Sequence, residues 1–282
     1  MKKVAAGIVT YNPDIGQLLL NIEAAEMQVE KIVIVDNKSQ NVEDILSAAG
    51  KFRDIHVITN ESNLGIAAAL NQLAGYCFEL GFEWIVTLDQ DSVLPAGFIR
   101  NFDGMPAGDD TAIVCPAVHY EKTSVQDRFS QREEYEDINW CITSGAITNI
   151  PVLKKLGGFD EDMFIDLVDF EYCLRLGESG YRIIRANGFV LKQRLGDLFE
   201  KHIGKRRIFV TNHSPMRVYY YSRNLLYCSG KYPEKVGMGF VITDLLKKFI
   251  KILLYESDRG DKLKSMFKGI RDGIDMKSMR RN

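Results

Sequence analysis

The stretch EWIVTLDQDS, Glu83 to Ser92, decides how the chain is read. Trp84 to Leu88 is a run of apolar and β-forming residues, as in a strand buried on both faces. It then meets Asp89, Gln90, Asp91 and Ser92 with no glycine or proline between. Two carboxylates one residue apart repel each other, and in an extended chain side chains at i and i+2 point the same way. Such a strand end either faces water or frames something positive. Oxygen ligands of this kind suit Mg²⁺ or Mn²⁺. A DxD pair alone is a weak signal, and a plain polar strand end is the competing reading.

Three earlier segments end alike. KVAAGIVTYN closes on Thr10, Tyr11 and Asn12 before Pro13; KIVIVDN closes on Asp36 and Asn37; IHVITN closes on Thr59 and Asn60. Helical spacing separates them, in DIGQLLLNIEAAEMQ, in VEDILSAAGKF and in GIAAALNQLAGYCFELG, which Gly81 stops. Strands alternating with helices predict an α/β fold with a mostly parallel central sheet flanked by helices. Ligands bind such sheets beyond the C-terminal strand ends. All four polar clusters are therefore expected on one side of one sheet.

Past Asp91 the pattern loosens. Residues 103–140 read as a loop followed by a mobile or edge segment, CITSGAITNI as a strand with a small-residue centre, and RIIRANGFVLKQRLGD as a strand pair or a bend. FDEDMFIDLVDFEYCLR gathers Asp160, Glu161, Asp162, Asp166, Asp169 and Glu171. A helix from Asp162 to Arg175 would place Asp162, Asp166 and Asp169 on one face. Crowded like charges suit a general base near neutral pH; a solvated helix face is the alternative.

The 282 residues allow one large α/β domain, or one domain with a small addition. Net charge is −2, but unevenly spread. From Lys231 onward 13 Lys and Arg face 7 Asp and Glu, and the first 230 residues carry −8. Five scattered cysteines form no CxxC or zinc spacing, which predicts buried thiols in a reducing compartment. No apolar run reaches the length of a spanning helix, and MKKVAAGIVTYNP is too briefly apolar for a signal peptide. A cytoplasmic location is expected. From Phe240 to Tyr255, Asp244, Lys247, Lys248, Lys251 and Tyr255 share one stripe and leave a wide apolar arc. A core helix, a homo-oligomer contact and a helix lying against the inner face of a membrane all fit, and the basic tail favours an anionic surface. Nucleic acid is not expected, because no module interleaves aromatic and basic residues.

Taken in order, VTYNP, IVDNKS, NLGIAAALN, DQDS, SGAI and GGFDEDMFIDLVDFEYCLR resemble the inverting family 2 glycosyltransferases, which have the nucleotide-diphospho-sugar-binding GT-A fold. The resemblance runs from Val4 to Asn224. FIDLVDFEYCLR and RVYYYSRN are most similar to the bacterial rhamnosyltransferase branch. It implies a GT-A domain over 1–230, with a nucleotide-binding half near 1–100 and an acceptor half near 101–230. A basic amphipathic helical extension would follow over 231–282. The implied reaction moves a sugar, L-rhamnose from dTDP-L-rhamnose being favoured, to a hydroxyl of a cell-surface polysaccharide precursor, free or lipid-linked. UDP-sugars are the alternative donors.

By the same resemblance, Thr10, Tyr11, Asn12 and Asp36 would meet the donor's base and ribose, while Asn63, Gly65 and Asn71 would shape its pocket. Asp91 would be the main ligand of Mn²⁺ or Mg²⁺, with Asp89 near the donor's ribose or the metal. Asp169 would take the proton from the acceptor, with Asp166 sharing that role or binding the acceptor. Ser144, Gly145 and Arg223 would lie on the acceptor side, Gly145 because a side chain would crowd the sugar. Gln193 is a departure: many relatives carry a metal-reaching His there. Arg194 would then bind diphosphate directly, or His202 would serve the metal. A sugar-nucleotide-binding scaffold without catalysis is the rival class. A nucleotidyltransferase is disfavoured, because VTYNPDIG is no Gly-rich basic loop.

Overall fold

The computed structural model describes residues 2–120, 133–193, 199–203 and 206–279. Two compact units emerge: Met1–Tyr120, Val125–Asp162 and Val168–Arg194 form one; Glu121–Ser124, Met163–Leu167 and Leu195–Asn282 form the other.

The first unit opens as the periodicity predicts, with β1 (Val4–Thr10), α1 (Ile15–Glu26), β2 (Ile32–Asp36), α2 (Val42–Ala49), β3 (Ile55–Thr59), α3 (Ile66–Glu79) and β4 (Trp84–Asp89). β5 (Thr111–Tyr120), β6 (Tyr135–Ile138), β7 (Ile147–Asn149), α4 (Ile150–Lys155), α5 (Val168–Glu178) and β8 (Arg182–Gln193) complete it. The eight strands lie in the order β3-β2-β1-β4-β7-β5-β8-β6. β1 pairs in parallel with β2 and β4, and β2 with β3, so the four polar strand ends do share one side. Only β7 and β6 run antiparallel to their neighbours. Every residue of β1 and β2 is buried, as strands covered on both faces require. Ile8, Leu18, Ile22, Ile34, Val86, Leu88 and Phe98 form the core over the site, each contributing about 1.5–3 kcal/mol by burial.

Three expectations need correcting. Residues 103–140 hold more than a loop and an edge segment: β5 spans ten of them and is buried from Thr111 to Val118, so it is an inner strand. β6 is the edge strand, and residues 121–132 lie outside the described residues. CITSGAITNI supplies only the short β7, because Gly145 has φ +78°, a left-handed conformation that ends a strand. The helix expected from Asp162 begins at Val168. Asp166 and Leu167 have φ +66° and +63°, which no right-handed helix accommodates. Asp162, Asp166 and Asp169 therefore share no helix face. RIIRANGFVLKQ resolves into the single strand β8, whose register against β5 shifts between Pro116 and Ala117. All five cysteines are free and buried, as expected.

The second unit carries the hairpin β9 (Phe199–Ile203) and β10 (Arg206–Val210), then α6 (Pro215–Lys231), α7 (Met238–Tyr255) and α8 (Arg259–Met279). α6 starts where Ser214 accepts from the Arg217 N–H and Pro215 supplies the first turn.

Candidate active site

The β1 and β2 ends are bound to each other before any ligand arrives. Asp36 is 1% exposed. Its Oδ1 accepts from the Thr10 hydroxyl at 3.0 Å and from the Ser39 hydroxyl, and its Oδ2 from the Ser39 N–H at 2.9 Å. Asn12 donates its N–H to Ser39 Oγ at 2.7 Å and accepts from the Gln40 N–H at 2.7 Å. Thr10 and Asp36 thus brace the loop after β2. Tyr11 is half exposed, its backbone N–H fixed on Gln90 Oε1 at 2.9 Å.

Asn37, also buried, joins β2 to the entry of α3: it donates to the Gly65 carbonyl at 3.0 Å and accepts from Asn60 at 3.0 Å. Asn63 accepts from the Gly65 N–H at 3.0 Å, and Gly65 at φ +87° caps α3 with no side-chain hydrogen bond. The first-turn N–H groups of α3 thus carry no side-chain cap, the condition under which a helix N-terminus can meet an anion. Asn71 is engaged by the chain itself. Its side chain clasps the backbone of Phe159, donating at 2.9 Å and accepting at 2.7 Å, and it donates to Glu161 at 2.8 Å.

The end of β4 is held by a chain of side-chain hydrogen bonds. Asp89 Oδ2 accepts from Gln193 Nε2 at 2.7 Å, and Gln193 Oε1 accepts from the Ser92 hydroxyl at 2.7 Å. Ser144 donates to Ser92 at 2.8 Å and accepts from the Asp89 N–H at 3.1 Å. Ser92, Ser144 and Gln193 are all buried, so these bonds are made away from competing water. Gln193 thus orients Asp89. Asp91 differs from its neighbour. It is partly exposed, and among the described residues no hydrogen bond or ion pair reaches its carboxylate. Among the described residues no three His, Cys, Asp or Glu side chains cluster to hold a metal. The chemistry available at this strand end is two carboxylates, one oriented and one unengaged, which leaves a hard divalent cation to complete its shell with phosphate oxygens and water.

Ser144 is used internally, and the need for Gly145 is internal too: a Cβ there would lie 3.1 Å from Leu191 and 3.2 Å from Pro116. Beside Ser144, a cavity of about 290 Å³ opens between β5, β6 and the loop through Trp140, which is half exposed.

α5 carries Asp169 in its first turn, where Oδ1 accepts from the Phe170 N–H at 2.8 Å. Glu171, fully buried, pairs with Arg175 at 2.9 Å, and Arg175 donates to the Leu156 carbonyl at 2.5 Å. Glu171 is therefore an anchor of the helix.

Asp166 belongs to the second unit. Arg217 grips it with two nitrogens, Nε donating to Oδ2 at 3.2 Å and an η nitrogen to Oδ1. Asn224, buried on α6, donates to the carbonyls of Ile165 at 2.9 Å and Asp166 at 2.8 Å, holding the left-handed pair in place. Arg223 lies over the Tyr220 ring at 4.8 Å and donates to Asn224 at 2.9 Å. Sequence reasoning missed Arg217 as the partner of Asp166, because 51 residues separate them. Arg194 lies outside the described residues, as does the side chain of His202.

A sequence profile of "Glycosyl transferase family 2" matches residues 6–161. A dTDP-rhamnosyl transferase, RfbF of Shigella flexneri, is 28% identical over 288 positions, covering 96% of this chain and 95% of that protein. TarS 1-349 of S. aureus in complex with UDP-GlcNAc matches with a TM-score of 0.62 and 12% identity, over 96% of this chain and 81% of that one. GalNAc-T7 with UDP, GalNAc and Mn²⁺ matches with a TM-score of 0.60 and 14% identity; 83% of this chain spans about half (51%) of that one. At these identities the likeness to solved structures is one of fold, and that fold is GT-A.

Proposed function

Because the chain belongs to glycosyl transferase family 2, and is on that ground a glycosyltransferase, we propose that it transfers L-rhamnose from dTDP-L-rhamnose, with inversion, to a hydroxyl of a cell-surface polysaccharide precursor. The observation that carries the reading is the end of β4, where Gln193 aims Asp89 and Asp91 keeps its carboxylate unengaged among the described residues. The rhamnose preference rests on the likeness to RfbF along nearly the whole of both chains.

In this reading Asp91 and Asp89 hold Mn²⁺ or Mg²⁺, which when bound offsets the charge of the leaving diphosphate. The uncapped start of α3 and the Thr10–Asp36–Ser39 brace present the nucleotide. Asp169 removes the proton from the acceptor hydroxyl, whose oxygen attacks the anomeric carbon opposite the diphosphate. The anomeric C–O bond breaks as the new one forms, so configuration inverts in one displacement.

Thermal-shift binding of a donor panel tests this, with dTDP-rhamnose against UDP-sugars, each with and without Mn²⁺. The expected result is stabilisation by dTDP-rhamnose that needs the metal and disappears in Asp91→Ala. Stabilisation by a UDP-sugar alone would reassign the donor. No response to any nucleotide sugar would favour the non-catalytic scaffold.

A further inference from the structure

α7 buries only Val241, Leu245 and Ile252. Along the flank beside this buried stripe, Ile242, Leu246, Ile250 and Leu253 are 60, 55, 45 and 44% exposed. On α8, Phe267 and Ile274 are more than half exposed. Phe249 meets Phe267 edge-on with ring centroids 6.3 Å apart, so the two apolar faces join. Single exposed leucines mean little, but a joined patch of this kind marks an interaction surface.

Neither helix is free to roll this face inward. A Cβ at Gly269 would lie 2.3 Å from the Tyr219 carbonyl oxygen, and one at Gly273 2.7 Å from that of Arg223. α8 therefore packs backbone to backbone on α6, and Tyr219 also donates to Asp272 at 2.9 Å. α7 is fixed by Tyr221, which donates to Asp244 at 2.7 Å and has the Lys248 ammonium over its ring at 4.4 Å.

The charges flanking the patch choose its occupant. Lys247 is exposed on α7, and Lys264, Lys268 and Arg271 follow the Phe267 side of α8. Asp244, the only acidic residue of α7, is turned to Tyr221. Asp261 and Asp272 pair with Lys264 at 3.9 Å and Arg271 at 3.1 Å, Asp272 also accepting from Tyr219. Asp275 is exposed beside Ile274. Over residues 231–282, 13 Lys and Arg still outnumber 7 Asp and Glu. A two-fold contact between copies would set this net-basic segment against itself. No helix among the described residues is long and apolar enough to cross a membrane, so α7, ~27 Å long, would lie flat. We propose that the α7–α8 face docks on the headgroup layer of an anionic lipid bilayer, with Ile242, Leu246, Ile250, Leu253 and Phe267 entering the acyl boundary and the Lys and Arg row meeting anionic headgroups. This inference is independent of the donor and of the reaction.

The test is flotation of the full chain with vesicles of phosphatidylcholine alone and of phosphatidylcholine mixed with phosphatidylglycerol, at low and high salt. Binding is expected to the anionic vesicles and to weaken with salt. Leu246→Glu/Ile250→Glu and Lys247→Ser/Lys264→Ser should each lower partitioning about tenfold or more, with thermal melting unchanged because the side chains are exposed. Failure to bind either vesicle, equal binding to both, or binding that both variants retain overturns the proposal. So does a dimer in sedimentation equilibrium that Leu246→Glu/Ile250→Glu dissociates.

Discussion

Gln193 spans the DQDS segment with its two amide atoms, donating to Asp89 at 2.7 Å and accepting from Ser92 at 2.7 Å. Gln193 therefore acts on the strand end through Asp89. Gln193→Ala removes both bonds from a buried place, where an unmet polar group costs about 1–3 kcal/mol. Chemical denaturation should show a loss of that size. The Mn²⁺ concentration that half-activates turnover should rise as Asp89 loses its orientation. Unchanged stability and unchanged metal dependence together would remove Gln193 from the site.

The two candidate bases separate on their surroundings. Both oxygens of Asp166 are committed to Arg217, so an acceptor hydroxyl would have to displace a guanidinium. Asp169 stands in the first turn of α5, where its Oδ1 accepts from the Phe170 N–H. Asp169→Asn should lower kcat by about 10²–10⁴-fold, the worth of a general base, while donor binding and melting temperature hold. Asp166→Asn should act the other way round, lowering melting temperature with a smaller loss of turnover. An Asp169→Asn protein with full turnover would exclude it as the base.

What the sequence shows of this protein follows the range of the forces involved. β1 to β4 and their helices are legible because apolar period and polar strand ends are local signals, and parallel pairing then sets the ends side by side. β5 hides behind a polar, turn-rich approach through Asp109 and Asp110, although Thr111 to Val118 is buried. The false helix from Asp162 has a different cause. Its spacing is helical, but Asn224 and Arg217, more than fifty residues away, hold Asp166 and Leu167 left-handed. No local pattern encodes that. The motifs point to Asp36, Asn71 and Ser144 as site residues, yet only the structure shows that their polar atoms are spent on neighbouring chain.

Glycines make a paired prediction. Gly145→Ala adds a methyl at φ +78° and 3.1 Å from Leu191, and should destabilise by about 1–3 kcal/mol. Gly75→Ala, inside α3 with nothing within 4 Å of the new Cβ, should stabilise by about 0.5–1 kcal/mol. Urea melts of both variants give the signs directly. A stable Gly145→Ala protein would show that the Leu191 and Pro116 wall yields.

His213 gives the second unit a pH dependence of known sign. Burial and the positive charges of Arg217 and Lys248 push its imidazole down from 6.5 to about 4. Folded protein thus keeps it neutral where the unfolded chain binds a proton. The unfolded state takes up more protons between those values, so stability from this group is complete above pH 6.5 and drains away as pH falls toward about 4. Carboxylates also titrate over this range, and a variant separates the two. Unfolding free energy of wild type and His213→Gln, measured at intervals across that window, should give a difference that shrinks as pH falls. Two parallel curves would mean that His213 is protonated equally in both states, and that the cationic groups around it are screened.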